Sequence, residues 1–517
     1  MANVAPGVYV NVTAAGPNPT LPASTGNWFV VGLAAGPANT AFPIRSLNDF
    51  TTYFGQIVNG QNTGRYVISA NMSSLTLYDA LDEYFHDGGN TAYVSRIQPT
   101  SSGVAAASSA VTNAWILTAN GKGTWANSSN ASAAGIIVTI TGYTVGSQTV
   151  YSSQIAYNGV VVASTNGLLT DTDFINWVQS LQVGSGGGFI SAVAQVETST
   201  LPSSGSTITI YLTGGTDVAI ADADAAVALT AFTSLLGPGQ VSYPGGTSAT
   251  DWNNLVAHAI AFNRVAFLDA PNTATAATIE TQVATFQAAA ADSSYAAVFA
   301  PWVVIPGVVN TSSSALTSPV FNRTVAPSAY AAACAAANDA NADANSPAAG
   351  LAFASSYITG VTQTYVQSDL ANLNADGVCV IKQLPTGQFV LWGFRSAAFN
   401  PAWTYLNNVR MRMQIVFQAG NLAETFVFQE IDPKGKLFGR LNGALSGLML
   451  GYYQRGSLYG ATSNVAYSVN TGPSVNTLVT IAAGAINANI AVKLSPFAET
   501  VNINITKYNL TTAIPQA

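Results

Sequence analysis

The sequence predicts an α/β core, a separate β-rich module inserted into it, and an α+β unit at the C-terminal end. Three observations carry this expectation. Beyond about residue 214, helical patterns alternate with short apolar strands, as in a parallel sheet covered on both faces. Residues 101–213 contain four charged side chains, Lys122, Asp171, Asp173 and Glu197, and strand-like runs separated by Gly, Ser and Asn clusters. From about 385 two helical stripes lead back into alternating strands.

At the N-terminus Val8, Val10 and Val12 alternate with Tyr9 and Asn11, which predicts a short strand. Gly16, Pro17, Pro19 and Pro22 make 13–22 a stiff extended spacer. A strand held off by such a spacer can pair with another chain; an edge strand of the same chain fits equally well.

Segment 28–97 reads strand, strand, helix, helix, strand and is expected to complete the core. Ser46 and Asp49 have capping-box spacing at the first helix, which Gly55 closes. In 74–87, Leu75, Tyr78, Leu81 and Phe85 share one helical face, and Gly88-Gly89 ends it.

Within the module, strands are expected at 136–141, 160–163, 189–196 and 207–213. Phe174, Trp177, Val178 and Leu181 mark one helix between them. The core resumes with strands at 264–269 and 296–305, bracketed by helices at 221–236, 251–262, 274–291 and 328–343. A helix over 402–420 follows, then a second striped by Leu437, Leu441, Leu445, Leu448 and Tyr452. Near the end Val501, Ile503 and Ile505 alternate with Asn502, Asn504 and Thr506. The expected division is an arm at 1–22, a core of 23–100 plus 214–384, a module at 101–213, a C-terminal unit at 385–507 and a second arm at 508–517.

Charged residues make up 8% of the 517, against a usual figure of about 25%, while 49% are hydrophobic. That is too apolar for disorder. No apolar run reaches the ~20 residues of a spanning helix, and the N-terminus has no secretory pattern, so folding in a cytoplasm is expected. Residues 1–380 carry six basic and nineteen acidic side chains, a net of −13. Residues 381–517 carry ten basic and four acidic, a net of +6, and the two sum to −7. A basic C-terminal part implies a negatively charged partner: nucleic acid, membrane or an acidic protein surface.

Catalytic chemistry finds little to work with. Cys334 and Cys379 lie in apolar surroundings and are expected to be buried free thiols, in keeping with a reducing compartment. The histidines are His86 and His258. His258 falls in a helical pattern, and His86 sits at a helix end where it would favour the negative end of the dipole. No zinc-binding spacing, Gly-x-Ser-x-Gly elbow, EF-hand spacing or phosphate-binding glycine loop followed by Lys is present. Asp171/Asp173 and Asp222/Asp224 stand near helix starts, where capping accounts for them. No catalytic, metal or cofactor site is therefore expected.

The ordered segments resemble the contractile phage tail sheath protein family, which also occurs in phage-tail-like contractile injection particles. The resemblance begins with Ala5-Pro-Gly-Val-Tyr-Val10, Phe29-Val-Val-Gly-Leu-Ala34, Pro43-Ile-Arg-Ser-Leu-Asn-Asp-Phe50 and Tyr53-Phe-Gly55. It continues with Asp79-Ala-Leu-Asp-Glu-Tyr-Phe85 and Gly88-Gly-Asn-Thr-Ala-Tyr-Val94. The module opens at Leu117-Thr-Ala and Gly123-Thr-Trp-Ala-Asn127 and closes at Leu212-Thr-Gly-Gly-Thr-Asp217. Leu268-Asp-Ala-Pro271, Pro301-Trp302, Ala326-Pro-Ser328 and Asn338-Asp339 follow. Trp392-Gly-Phe-Arg395, Tyr405-Leu-Asn-Asn-Val-Arg410, Phe426-Val-Phe428 and Pro496-Phe-Ala-Glu499 extend it to the C-terminal end. The order of these motifs across nearly the whole chain gives the match its weight. The sequence departs from the pattern at Val218, where the family has Gly, and at Arg410-Met-Arg412, where it has adjacent arginines. Residues 338–345 also lack the family's Arg.

The resemblance implies a doubly wound α/β core related in shape to subtilisin but without its catalysis, an outward-facing β-sandwich insertion, and a tube-proximal C-terminal domain. It implies a helical homopolymer of stacked rings around an inner tube, with baseplate and tail terminator proteins at its ends, no direct nucleic acid contact and no membrane insertion. The expected location is a virion tail or phage-tail-like particle assembled in the host cytoplasm. On this reading Val8, Tyr9, Val10, Val12, Val501, Ile503 and Ile505 are the strands that link subunits, and Lys434, Lys436, Arg440 and Arg455 face an acidic tube. A surface-layer or adhesin-like protein is the alternative suggested by the Ser/Thr/Asn-rich module, and a hydrolase on the core a weaker one.

Overall fold

Strand β1 (Trp28–Gly32) is buried along its whole length, which a Trp-Phe-Val-Val run permits only at the centre of a sheet covered on both sides. It pairs in parallel with β3 (Ala92–Arg96) on one side and β4 (Gln240–Ser242) on the other; β2 (Phe42–Ile44) pairs antiparallel with β3. The sheet continues through β5 (Val265–Asp269), β6 (Ala296–Ala300) and β7 (Val378–Gln383), all parallel, and ends in antiparallel β8 (Phe389–Trp392). The order is β2-β3-β1-β4-β5-β6-β7-β8. The chain moves outward from β1 to β3, then returns to β4 on the opposite side, so the direction of winding reverses at β1.

The computed structural model describes residues 25–34, 36–38, 40–54, 57–58, 61–62, 77–99, 108–109, 115–131, 135–181, 188–194, 201–216, 218–306, 322–398, 400–500 and 507. The terminal strands expected around Val8–Val12 and Val501–Ile505 lie outside the described residues.

Alternation along each strand divides the apolar side chains between two layers. Trp28, Val30, Val265, Phe267, Phe299 and Cys379 face α1 (Leu47–Phe54) and α2 (Leu77–His86), together with an alanine-rich helix defined below. Phe29, Val31, Ala266, Leu268, Val298 and Val380 face the opposite layer. There lie α3 (Asp222–Leu229), α4 (Ala249–Phe262) and α5 (Ala276–Ala289). On the first face α6 (Pro327–Asn341) is buried almost throughout. Its Ala329–Ala336 run lets neighbouring backbone approach so closely that a Cβ on Gly26 would lie 3.0 Å from the Ala336 Cα. On the second face α7 (Gln367–Ala375) packs beside α5 and β7, with Leu373 in the core.

Two boundaries differ from the sequence reading for a physical reason. The helix expected over 221–236 stops at Leu229 and is followed by a short turn, Ser234–Leu236. The buried Arg264 guanidinium takes the carbonyls of Phe232 and Thr233, each at 2.7 Å, and that of Gly237 at 3.1 Å, drawing them out of helical alignment. The run over 296–305 is two strands. It breaks at Pro301-Trp302, where Trp302 Nε1 donates to the Ala270 carbonyl at 2.7 Å. Val303–Ile305 then joins Arg323–Val325 and Gly360–Val361 in a separate small sheet.

The inserted module holds two antiparallel sheets around one core of its own. The larger has strands Ile136–Val145, Gln148–Tyr157, Val160–Leu168 and Thr207–Tyr211; the smaller has Ser108–Ser109, Trp115–Ala119 and Ile190–Ala194. Phe174, Ile175 and Val178 of helix Asp171–Ser180 fill the same core, and Thr170 caps that helix in a box with Asp173. Two motifs quoted from the sequence close the module. Asn127 and Gly215 exchange hydrogen bonds of 2.8 Å in both directions. Arg96, at the end of β3, donates to the carbonyls of Gly36 and Lys122 at 2.6 Å each and fastens the module to the core.

Two further motifs meet at the C-terminal end of β5, beside the turn that follows β4. The buried Asp269 carboxylate accepts from Ser328 N at 2.7 Å, Ser328 Oγ at 2.9 Å and Gly245 N at 3.2 Å. This holds the first turn of α6 onto the sheet. Asp269→Asn would set an amide N–H against one of these donors. It is expected to cost about 2–3 kcal/mol, read as a lowered thermal midpoint; an unchanged midpoint would show that the contact carries no stability.

Candidate functional site

The C-terminal unit grows out of one helix. In α8 (Leu406–Glu424), Leu406, Val409 and Met413 belong to the core of the large sheet. Met411, Ile415 and Ala419 of the same helix belong to a separate core with Leu441, Leu445, Leu448 and Tyr452 of α9 (Lys436–Gln454). Both faces of α8 are thus buried, one in each unit. Arg410 and Arg412, two residues apart, point to different sides of the helix. Arg410 Nη2 donates to Asp339 Oδ2 at 2.7 Å. Arg412 lies 4.1 Å from the Tyr295 ring centre and 4.5 Å from that of Trp403, with Ser294 Oγ at 3.3 Å. Separation by Met411 sends the two charges into different parts of the core.

A polar seam completes the joint. Asn345 Nδ2 donates to the carbonyls of Ser457 and Ser495 at 3.2 and 3.1 Å, while Asn407 Nδ2 reaches the Asn345 carbonyl at 2.9 Å. The outgoing chain is tied by Glu499, whose oxygens accept from Arg395 Nε at 2.8 Å and Nη2 at 2.5 Å. The Arg395 contact holds the Glu499 carboxyl below its usual range.

Beyond α9 the chain forms a two-stranded antiparallel sheet, Tyr467–Asn470 with Asn489–Val492. Tyr467–Asn470 is tied to α9: Asn442 Nδ2 donates to the Val469 carbonyl at 3.0 Å and Thr471 Oγ1 to that of Phe438 at 3.1 Å. Among the described residues, no strand pairs with the outer edge of Asn489–Val492.

The four basic residues singled out in the sequence separate into two places. Lys434, Lys436 and Arg440 cluster at the start of α9, where Asp432 accepts from the backbone of Lys434 and Leu437. Arg440 Nη1 donates to Gln429 at 2.9 Å. Arg455 follows the other end of the helix, about 28 Å away at 1.5 Å per residue. It is paired with Asp343 at 3.4 Å and stacked on Tyr452.

Sequence reading missed the face that this cluster opens onto. Gly439, Gly443, Gly447 and Gly451 recur every fourth residue along α9, and a Cβ added at any of them would meet nothing within 4 Å. They lie on one side of the helix, opposite the leucine stripe. A glycine inside a helix costs about 1 kcal/mol relative to alanine, and the packing described here does not require any of the four. The signal was in the sequence as a strict four-residue spacing, interleaved with the leucines. At the same end of the unit Phe428, Leu478 and Val479 are 88%, 84% and 74% exposed.

The histidines serve the fold. His86 closes α2, with Nδ1 2.8 Å from the Asp82 carbonyl and its ring stacked on Tyr357 at 3.9 Å. His258 is buried on α4, and its Nε2 accepts from Arg264 at 2.7 Å. Among the described residues no group of three or more His, Cys, Asp or Glu could hold a metal ion, and no helix is long and apolar enough to cross a membrane.

Solved structures match this architecture over nearly its whole length. A chain in the cryo-EM structure of the anti-feeding prophage helical sheath, in its contracted state, is 14% identical, with a TM-score of 0.54 over 98% of this chain and 99% of that one. A chain in the baseplate structure of the same particle gives 15% and 0.53 over 98% and 99%. The sheath tail protein of Listeria innocua gives 13% and 0.55 over 89% and 90%. The chain has the fold of a contractile tail sheath protein. No family model and no curated protein sequence matches it. At these identities the sheath fold is common to the chains, while their surface chemistry is each chain's own.

The buried histidine gives a pH test. Burial, reinforced by Arg264, lowers the His258 pKa from 6.5 to about 3. The folded chain therefore binds fewer protons here than the unfolded chain. The contribution is complete above the unfolded value of 6.5 and is lost as pH falls toward 3. His258→Gln, which retains an acceptor for Arg264, is expected to reduce the fall in thermal midpoint between neutral and mildly acid pH. A variant that loses as much as the parent would overturn this assignment.

Proposed function

We propose that the chain is the structural subunit of a contractile tail sheath: copies polymerise helically around an inner tube, and contraction of the polymer drives that tube through a cell envelope. The observation that carries this reading is the fold shared with a contracted helical sheath across 98% of the chain. The match takes in the inserted module and the C-terminal unit as well as the α/β core.

The C-terminal unit is the part we assign to the tube. Lys434, Lys436 and Arg440 supply positive charge at one end of α9, and the glycine face beside them lets a partner's backbone approach the helix axis closely. A helix side thinned of side chains at four positions, next to a basic cluster, suits a flat acidic wall. Arg455, held by Asp343, stands apart from this surface.

Val8, Tyr9, Val10 and Val12, with Val501, Ile503 and Ile505, are the strands we assign to links between subunits. The open edge of Asn489–Val492 offers the main-chain groups such a strand needs. Each added hydrogen bond contributes a net ~0.5–1.5 kcal/mol, so a few per arm hold neighbours together while domain surfaces re-pair. The module at 101–213 faces outward in this arrangement. Baseplate and tail terminator proteins meet the ends of the polymer, and assembly takes place in the host cytoplasm.

Negative-stain electron microscopy of the purified chain, alone and with its tube, tests the reading. Tubes or stacked rings of uniform width are expected; dispersed monomers in the presence of tube and baseplate would refute it. Gly443→Ala with Gly447→Ala separates folding from assembly. The pair is expected to stabilise the isolated chain by about 1 kcal/mol per site and raise its thermal midpoint, while lowering the yield of tube-templated sheath. Full assembly by the stabilised variant would remove α9 from the tube contact.

A further inference from the structure

Helix α2 buries more acid than its surroundings neutralise. Asp79 and Asp82 are gripped by Arg323, whose Nη1 lies 2.7 Å from Asp79 and whose Nη2 bonds Asp82; the Tyr357 hydroxyl also reaches Asp82 at 2.9 Å. Arg323 Nε is taken by the Pro306 carbonyl at 2.9 Å. Glu83, one turn before the end of α2, has no such partner. It is fully buried, and neither carboxyl oxygen receives a hydrogen bond.

The polar group facing Glu83 is another carboxyl, that of Asp87 one turn further on, where the Asp87 amide still donates to the Glu83 carbonyl at 3.2 Å. Asp87 in turn holds a neighbouring turn. Its Oδ2 accepts from Ser355 Oγ at 2.5 Å and its Oδ1 from Ser356 N at 3.1 Å. Ser355 Oγ then accepts from the amides of Tyr357 and Ile358 at 3.0 and 2.8 Å. The two carboxyls have no donor between them, and full burial disfavours a charge on Glu83. A single proton removes both difficulties.

We propose that the buried Glu83 carboxyl keeps its proton and donates it to Asp87, and that this hydrogen bond latches the turn at 351–358 onto the end of α2. Loss of the proton leaves the two carboxyls in contact with no donor between them. The relief open to them is outward rotation of Asp87, which sits at the helix end, and that rotation releases Ser355 and Ser356.

The groups facing Glu83 leave its proton in place. Asp82 lies beside Glu83 on α2 and adds negative charge; Arg323 on the small sheet is already committed to Asp79 and Asp82. From α6 come Tyr330 and Cys334, both kept protonated by burial, with the Tyr330 hydroxyl donating to the Phe353 carbonyl at 2.5 Å. His86 and Tyr357 stack on the outer side, with His86 turned toward Asp82. Burial, then Asp87, raises the Glu83 pKa well above its ordinary 4.5. The latch therefore contributes fully below the unfolded value and is lost as pH rises through the raised one.

Amide hydrogen exchange of the full chain near pH 6 and near pH 9, corrected for the intrinsic rate, reads the latch directly. Peptides covering 351–358 are expected to lose protection at the higher pH, by up to about tenfold for each pH unit above the raised pKa, while β5 and β6 keep theirs. In Glu83→Gln the side-chain amide donates permanently to Asp87, and protection of the same peptides is expected to be equal at both pH values. Equal protection in the parent chain overturns the proposal without need of any variant. So does a Glu83→Gln chain that loses protection as the parent does.

Discussion

Parallel strands can be joined only by crossovers, and crossovers lay helices over both faces of a sheet. The rest of this molecule follows from that. Six adjacent strands run parallel, from β3 to β7, and their two faces belong to two separate helix-covered layers. The β8 edge is closed as well: Ser355 N and Gly350 N take the carbonyls of Phe389 and Leu391 at 2.9 and 2.8 Å. A core built this way leaves little surface on which to add a partner. Even Asp269, at the strand ends where α/β sheets commonly bind ligands, spends its carboxylate on Ser328 and Gly245.

The attachments are made with arginine. Few side chains are charged, yet Arg96, Arg264, Arg323, Arg410 and Arg412 are all buried. Four stand at joints: Arg96 between core and module, Arg410 and Arg412 between core and α8, Arg323 between α2 and the small sheet. Arg264 fixes the turn that follows α3. A guanidinium presents several donors in a rigid plane and stacks on aromatic rings, so it can satisfy carbonyls and carboxylates from several segments at once. A lysine offers a point charge and fixes no such geometry. These joints tie the attached units to the core through side-chain contacts from several segments.

The sequence made the core and the leucine stripe of α9 legible because burial there repeats at a simple period. Trp28 to Gly32 and 264–269 read as central strands because they are continuous apolar runs. Strand Gln148–Tyr157 was missed: Gln, Thr and Ser interrupt its alternation, and its place depends on ten register pairs with Ile136–Val145. Trp115–Ala119 was read only as a motif, because its partners lie about seventy residues away at Ile190–Ala194. Arg455 was grouped with Lys434, Lys436 and Arg440 because net charge along a chain carries no distance. Once α9 is seen as a straight nineteen-residue helix, the four cannot form one patch. The glycines were visible but had no partner in the sequence to give them meaning. Only the empty space above each Cβ position distinguishes them from tolerated defects.

That distinction bears on how a sheath could move. The two sides of α9 are built on opposite principles. Leu437, Leu441, Leu445, Leu448 and Tyr452 interdigitate with their neighbours and fix the helix in its unit. The glycine side has four positions with no side chain to interdigitate. Contact through it relies on backbone approach and on the charges of Lys434, Lys436 and Arg440, both of which vary smoothly as surfaces slide. Side chains locked into a partner's grooves would have to leave them together, against a barrier that grows with the area engaged. A smooth, charged face can release its partner in small steps, while the joints behind it stay shut. In the proposed sheath, the helix propensity lost at four glycines is a stability cost placed on the face assigned to the tube.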